Sequence, residues 1–169
     1  MTRATDGVSD KSHMNPPTNL LVLLDLSTST AAVLRAAKVW AGRLSAKVWL
    51  LHVAAPDPDF VGYELDTPTM RDVVAKRFHD EHRQLEAAAR ELRTAGLDTT
   101  SLLVQGPTVE AILKEAAKLQ ADAIIAGSHG HGAIHDLLVG STIREVIRHS
   151  TRPILLIPPN RETPTSGSV

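Results

Sequence analysis

Cysteine is absent from this 169-residue chain. Its absence excludes thiol catalysis, zinc thiolate sites and a disulfide framework, and it fits a reducing compartment. A basic excess is missing too: 18 Lys+Arg stand against 19 Asp+Glu, for a formal net charge of −1. Nucleic-acid affinity rests largely on counterion release by clustered cations, so this balance argues against a nucleic-acid partner. No apolar run approaches the roughly 20 residues that a bilayer-spanning helix needs, which argues against a membrane partner. The opening MTRATDGVSDKSHMNPP has no apolar stretch of the kind a secretory signal requires, so the expected location is cytoplasmic. No internal repeat is visible.

What remains is ordinary globular composition, 43% apolar and 22% charged, in a length that suits one domain. Residues 1–17 and 160–169 are rich in Ser, Thr, Pro, Asn and Gly, and read as flexible tails around a domain at 18–159. Inside it, five short apolar runs alternate with segments of helical period. The runs are Leu20–Leu24, Val48–Val53, Ser101–Val104, Ala123–Ala126 and Ile154–Ile157. They are nearly continuous rather than alternating, the pattern of strands buried on both faces of a parallel sheet. Between them fall apolar stripes: Val33, Ala37, Trp40, Ala41 and Leu44; Val74, Phe78, Leu85, Ala88 and Leu92; Val109, Ile112, Leu113 and Ala116; Ile143, Val146 and Ile147. Ser29 and Thr108 read as helix caps, Thr142–Glu145 as a capping box, and Gly96 as a helix stop. The second helix carries balanced charge between Arg71 and Arg93, with pairs such as Glu86–Arg90, and reads as a solvated face. Residues Ala54–Thr69 read as a long loop. The order β-α-β-α-β-α-β-α-β predicts an α/β fold, a single doubly wound domain with helices on both faces of a parallel sheet.

Ligands of such sheets sit beyond the carboxyl ends of the strands, where strand order reverses. Three groups fall at strand ends: Asp25 and Ser27, His52 and Val53, and the run from Gly127 to Gly132, Gly-Ser-His-Gly-His-Gly. Eight residues after that run come Gly140, Ser141 and Thr142, at the start of a helix. Glycines leave backbone N–H groups open to a close anion, and a helix N-terminus adds partial positive charge. The natural use is phosphate binding. It is not a P-loop, since no Gly-Lys pair occurs anywhere in the chain. Nor is it the G-x-G-x-x-G dinucleotide fingerprint, whose third glycine would fall on His135 when counted from Gly130. His129, His131 and His135 are better read as facing solvent or phosphate than as a metal site, because the glycines beside them hold no fixed ligand geometry. His52, inside an apolar run, reads as a hydrogen-bonded core histidine.

The four-point spacing G-x2-G-x9-G-[ST], here Gly127, Gly130, Gly140 and Ser141, resembles that of the universal stress protein family in its nucleotide-binding branch. The resemblance runs from about Asn19 to Pro158 and includes the first strand leading to Asp25, the Leu-Leu-His-Val ending at Val53, and the terminal Arg-Pro-Ile-Leu-Leu-Ile-Pro strand. It implies a five-stranded sheet of order 3-2-1-4-5, which sets Asp25 beside Gly127. It further implies ATP, with magnesium, as the ligand: Asp25 and Val53 serve the nucleoside, and Gly127, Gly130, Gly140, Ser141 and Thr142 serve ribose and phosphates. His131 stands where many family members have Arg or Lys, and neutral imidazole offsets less phosphate charge. The function implied is a regulatory stress-response module rather than a dedicated catalyst. The alternative is a structural or signalling dimer of the same fold that binds no nucleotide. An adenylating enzyme would need a second substrate domain, for which there is no room. In the implied strand order, Ile154, Leu155, Leu156 and Ile157 form an apolar edge strand, expected to pair with its twofold mate in a homodimer.

Overall fold

The computed structural model describes residues 18–54, 68–128 and 139–159. The tails expected at 1–17 and 160–169, and Gly130 and His131 of the glycine motif, lie outside the described residues. The elements are β1 (Asn19–Leu23), α1 (Thr30–Leu44), β2 (Lys47–Ala54), α2 (Pro68–Thr94), β3 (Thr99–Gln105), α3 (Thr108–Lys118), β4 (Ala123–Gly127), α4 (Ser141–His149) and β5 (Ile154–Ile157). All five strands are parallel, in the order β3-β2-β1-β4-β5. Every expected apolar run became a strand. The loop expected over Ala54–Thr69 is shorter than that, since Ala54 closes β2 and Pro68 opens α2.

Two hydrophobic clusters sandwich the sheet. Alternation along β1 sends Leu20, Val22 and Leu24 to one cluster and Leu21 and Leu23 to the other. The first cluster is closed by Val33, Ala37 and Ala41 of α1 and Leu85, Ala89 and Leu92 of α2. The second is closed by Ile112 and Ala116 of α3 and Val146 of α4. Two stripe assignments fail at their edges: Trp40 is 44% exposed and Ile147 is 45% exposed. Both lie on the margin of a stripe whose centre, at Ala37 and Val146, already fills the gap to the sheet.

Helix ends explain where the strands begin. At the end of α2 the Gly96 N–H donates to Arg93 O (2.9 Å) and the Leu97 N–H to Leu92 O (3.1 Å), with Gly96 at φ +85. This is a Schellman reversal, in which a left-handed residue lets the last carbonyls find donors. The same pair of bonds closes α3, where Gln120 (φ 50) donates to Ala117 O and Ala121 to Ala116 O. In α1, Ser45 (φ 52) takes the left-handed position and Ala46 donates to Ala41 O. Helix starts agree less well with expectation. Pro107, not Thr108, occupies the N-cap of α3, and Gly140 occupies that of α4. Thr142 therefore lies inside α4, and no capping box forms. Ser29 is the N-cap residue of α1, but its side chain makes no cap hydrogen bond.

Ion pairs and side-chain hydrogen bonds brace the lower half of the sheet. The Asp122 carboxylate accepts from the Asn19 (2.9 Å) and Thr18 (2.8 Å) N–H groups, joining the starts of β1 and β4. Glu86 pairs with Arg93 at 2.8 Å, not with Arg90 one turn away, and also accepts from Ser101 Oγ at 2.6 Å. Arg93 Nε in turn donates to Thr99 O, so this network clips α2 to β3.

The guanidinium of Arg93, then the Ser101 hydroxyl, holds the Glu86 carboxyl at about 2 against an ordinary 4.5. The Asn19 and Thr18 N–H groups likewise lower Asp122. Both folded values lie below the unfolded ones, so their stabilisation is complete above the unfolded carboxylate range and fades as pH falls towards the folded values. Urea midpoints should therefore decline on acidification from about pH 5 to pH 2, and Glu86→Gln should flatten part of that decline. Equal slopes in the two proteins would mean that Glu86 is no better held in the fold than in the unfolded chain. Separately, Gln120→Gly should raise stability by about 0.5–1 kcal/mol in chemical denaturation, because the left-handed position penalises a Cβ.

Candidate functional site

The strand order reverses at β1: the chain proceeds to β2 and β3 on one side, then crosses to β4 and β5 on the other. Beyond β1 the ladder continues for one more bond, Leu24 N to Leu51 O at 2.9 Å. Asp25 follows, then Leu26 at φ 56, a left-handed conformation uncommon for a residue with a side chain. This turn is held by the aspartate. Asp25 Oδ1 accepts from the Ser27 N–H (3.1 Å), Ser27 Oγ (2.7 Å) and Ser29 Oγ (3.2 Å). Ser29 thus serves the aspartate rather than capping its helix, and the carboxylate has one fixed orientation at the mouth of the sheet.

Registers place the other residues. Leu23 lies opposite Leu51 and Val22 opposite Ile125, so equal steps bring Asp25 level with Val53 and Ser128. Gly127, the last residue of β4, lies opposite Ile157. The Ser128 N–H donates to Ile157 O (2.9 Å), and the Gly140 N–H donates back to Ser128 O (3.0 Å). The chain therefore leaves β4 and returns at the same point, where Gly140 opens α4. Two halves of the glycine spacing, thirteen positions apart in sequence, are adjoining in space. The first turn of α4 contains no acidic side chain, so none of its own residues offsets the positive end of the helix. Ser141 is exposed there, and Thr142 is half-buried.

His52 behaves as a bonded histidine. Its Nδ1 is 2.7 Å from Leu24 O, and since a carbonyl can only accept, Nδ1 carries the proton. Its Nε2 faces Glu81 Oε2 of α2 at 3.8 Å, too long for a hydrogen bond. The sequence reading missed this part of the site. A cavity of about 560 Å³ opens between α2 and the ends of β1 and β2, lined among others by Asp25, Leu26, His52, Arg77 and Glu81. The helical charge pattern showed that α2 was polar, but not which of its charges face the sheet. His129, His131 and His135 lie outside the described residues, and among the described residues no group of three or more His, Asp or Glu could hold a metal ion. No described helix is long and apolar enough to cross a membrane.

The fold recurs in known proteins. A universal stress protein of Thermus aquaticus is 29% identical over 139 residues, covering 82% of this chain and 96% of its own. The solved structure of the Methanocaldococcus jannaschii protein MJ0577 superposes with a TM-score of 0.74 at 26% identity, covering 85% of this chain and 97% of its own. A universal stress protein from Archaeoglobus fulgidus, solved in complex with dAMP, shares the fold at 22% identity, with a TM-score of 0.60 and coverage of 83% and 97%. Residues 17–158, most of the chain, match the model of the universal stress protein family, and the chain belongs to that family.

Proposed function

We propose that this protein is an ATP-binding regulatory module of the stress response, a cytoplasmic protein that binds its nucleotide, with magnesium, without turning it over efficiently. One observation carries the reading: the Gly140 N–H to Ser128 O bond closes the glycine motif on a rung level with Asp25 and Val53. In this reading the Asp25 carboxylate accepts from ribose hydroxyls, and the backbone of Val53 meets the base. Gly127, Gly130, His131, Gly140, Ser141 and Thr142 surround the phosphates. The donor set suits the ligand, because a helix start with no acidic side chain in its first turn attracts an anion while a pinned acceptor suits a sugar. The dAMP bound by the Archaeoglobus protein supports an adenine nucleotide as the class. The reading assigns no catalytic residue.

Equilibrium dialysis against ATP and magnesium tests it. Binding should be detectable at millimolar nucleotide or below, and Gly130→Val should weaken it by about tenfold or more, through a side chain at the approach to the phosphates, with the fold retained. No binding at millimolar ATP removes the reading, and unchanged affinity in a folded Gly130→Val removes the glycine from it.

The same reading includes a homodimer through β5. This strand ends the sheet, and its side chains alternate: Leu155 and Ile157 pack towards α1 and α2, Ile154 and Leu156 towards α3 and α4. All four are only partly covered. An apolar edge without its own charges invites a second copy. Leu156→Lys should shift the protein to monomers at micromolar concentration in light scattering, and a monomeric wild type at high concentration would remove the dimer.

A further inference from the structure

Two periodicities break at one place. Along β2 the residues facing the first cluster are Val48 and Leu50, and the next residue on that face is His52. Along α2 the buried stripe runs Leu92, Ala89, Ala88, Leu85, and one turn further stands Glu81. A strand pattern and a helix pattern thus both place a titratable group where a hydrophobic residue belongs, and these two groups meet at 3.8 Å. They are largely buried, with side chains 12% and 20% exposed. Glu81 Oε2 is inaccessible to solvent and receives no hydrogen bond among the described residues. Violations of pattern that coincide are the mark of a functional position rather than of careless packing.

The cavity beside them has a definite chemistry. Val73 and Leu26 supply apolar wall, Lys76 and Arg77 positive charge, Asp80 and Glu81 negative charge. Arg77 Nε lies 3.7 Å from Glu81 Oε1, so opposite charges stand side by side at the cavity wall. A simple anion would meet Asp80, Glu81 and Asp25, and a simple amine would meet Lys76 and Arg77. A ligand carrying both signs on adjacent groups satisfies both. At about 560 Å³ the space is ample for a small molecule with its water.

We propose that this cavity binds a small zwitterion of the α-amino-acid class with an apolar side chain, its ammonium group on Asp80 and Glu81 Oε1, its carboxylate on Lys76 and Arg77, and its side chain against Leu26 and Val73. Among the described residues the cavity wall shares Asp25 with the nucleotide reading and includes none of the glycine motif, and its test uses no nucleotide.

Thermal melting and calorimetric titration of the full, nucleotide-free chain with L-leucine, N-acetyl-L-leucine and L-leucinamide test the proposal. L-Leucine at millimolar concentration should raise the melting midpoint, while the two analogues, each lacking one charge, should not. Glu81→Gln should weaken the L-leucine dissociation constant by about tenfold or more. Lys76→Ala, at an exposed position outside the core, should also weaken it and carries the comparison if Glu81→Gln does not fold. Absence of any effect of L-leucine, an equal effect of all three compounds, or unchanged affinity in the folded variants would overturn the proposal.

Discussion

From Leu20 onward β1 is covered on both faces and carries no polar side chain. Leu20, Leu21, Val22, Leu23 and Leu24 are all buried, alternately against α1 with α2 and against α3 with α4. Its backbone is paired on both edges, with β2 along its whole length and with β4 over Leu20–Val22. The centre of the molecule is therefore chemically silent, and polar function is displaced to the first residue beyond the strand that neighbours no longer enclose. That residue is Asp25. The turn that carries it accepts an unfavourable Leu26 conformation, and the three donors to Asp25 Oδ1 are what hold that turn in place.

The two ends of the sheet divide the labour. At the amino ends, Asp122 joins β1 to β4, and Lys47, which pairs with Asp98 at 3.6 Å, lies over the Trp49 ring at 4.3 Å. These contacts are mutual, each group matched by a partner on a neighbouring element, and they leave little chemistry to offer a ligand. At the carboxyl ends the groups are arranged otherwise: a pinned carboxylate, a helix start without acid, and a polar cavity. Interactions that close on themselves stabilise; groups turned towards a crevice can do work.

Much of the fold was legible because burial on two faces writes continuous apolar runs, and five such runs became five strands. The caps were less legible. A Thr followed three residues later by Glu has the form of a capping box, yet Gly140 starts α4 because its backbone is already committed to Ser128. The tertiary bond overrode the local preference. Trp40 and Ile147 were misassigned for a related reason: periodicity gives the direction of a stripe but not its width, which depends on how close the sheet lies. That Gly127 closes a strand and Gly140 opens a helix could be read from the sequence, whereas the α2 cavity could not. Its signal was Glu81 in the gap of an apolar stripe, and that becomes meaningful only when His52 is seen opposite.

The bond between Gly140 and Ser128 has a consequence for the segment between them. Its two ends are joined at 3.0 Å by backbone atoms of the residue just after β4 and the residue just before α4, so these two elements are tied together directly. Lengthening a loop whose ends are already fixed costs only slowly rising closure entropy, about 0.6 kcal/mol for each doubling. A frame closed by such a bond can accept chains of different length and composition between its ends. A fold built this way can change what it recognises without renegotiating how it folds.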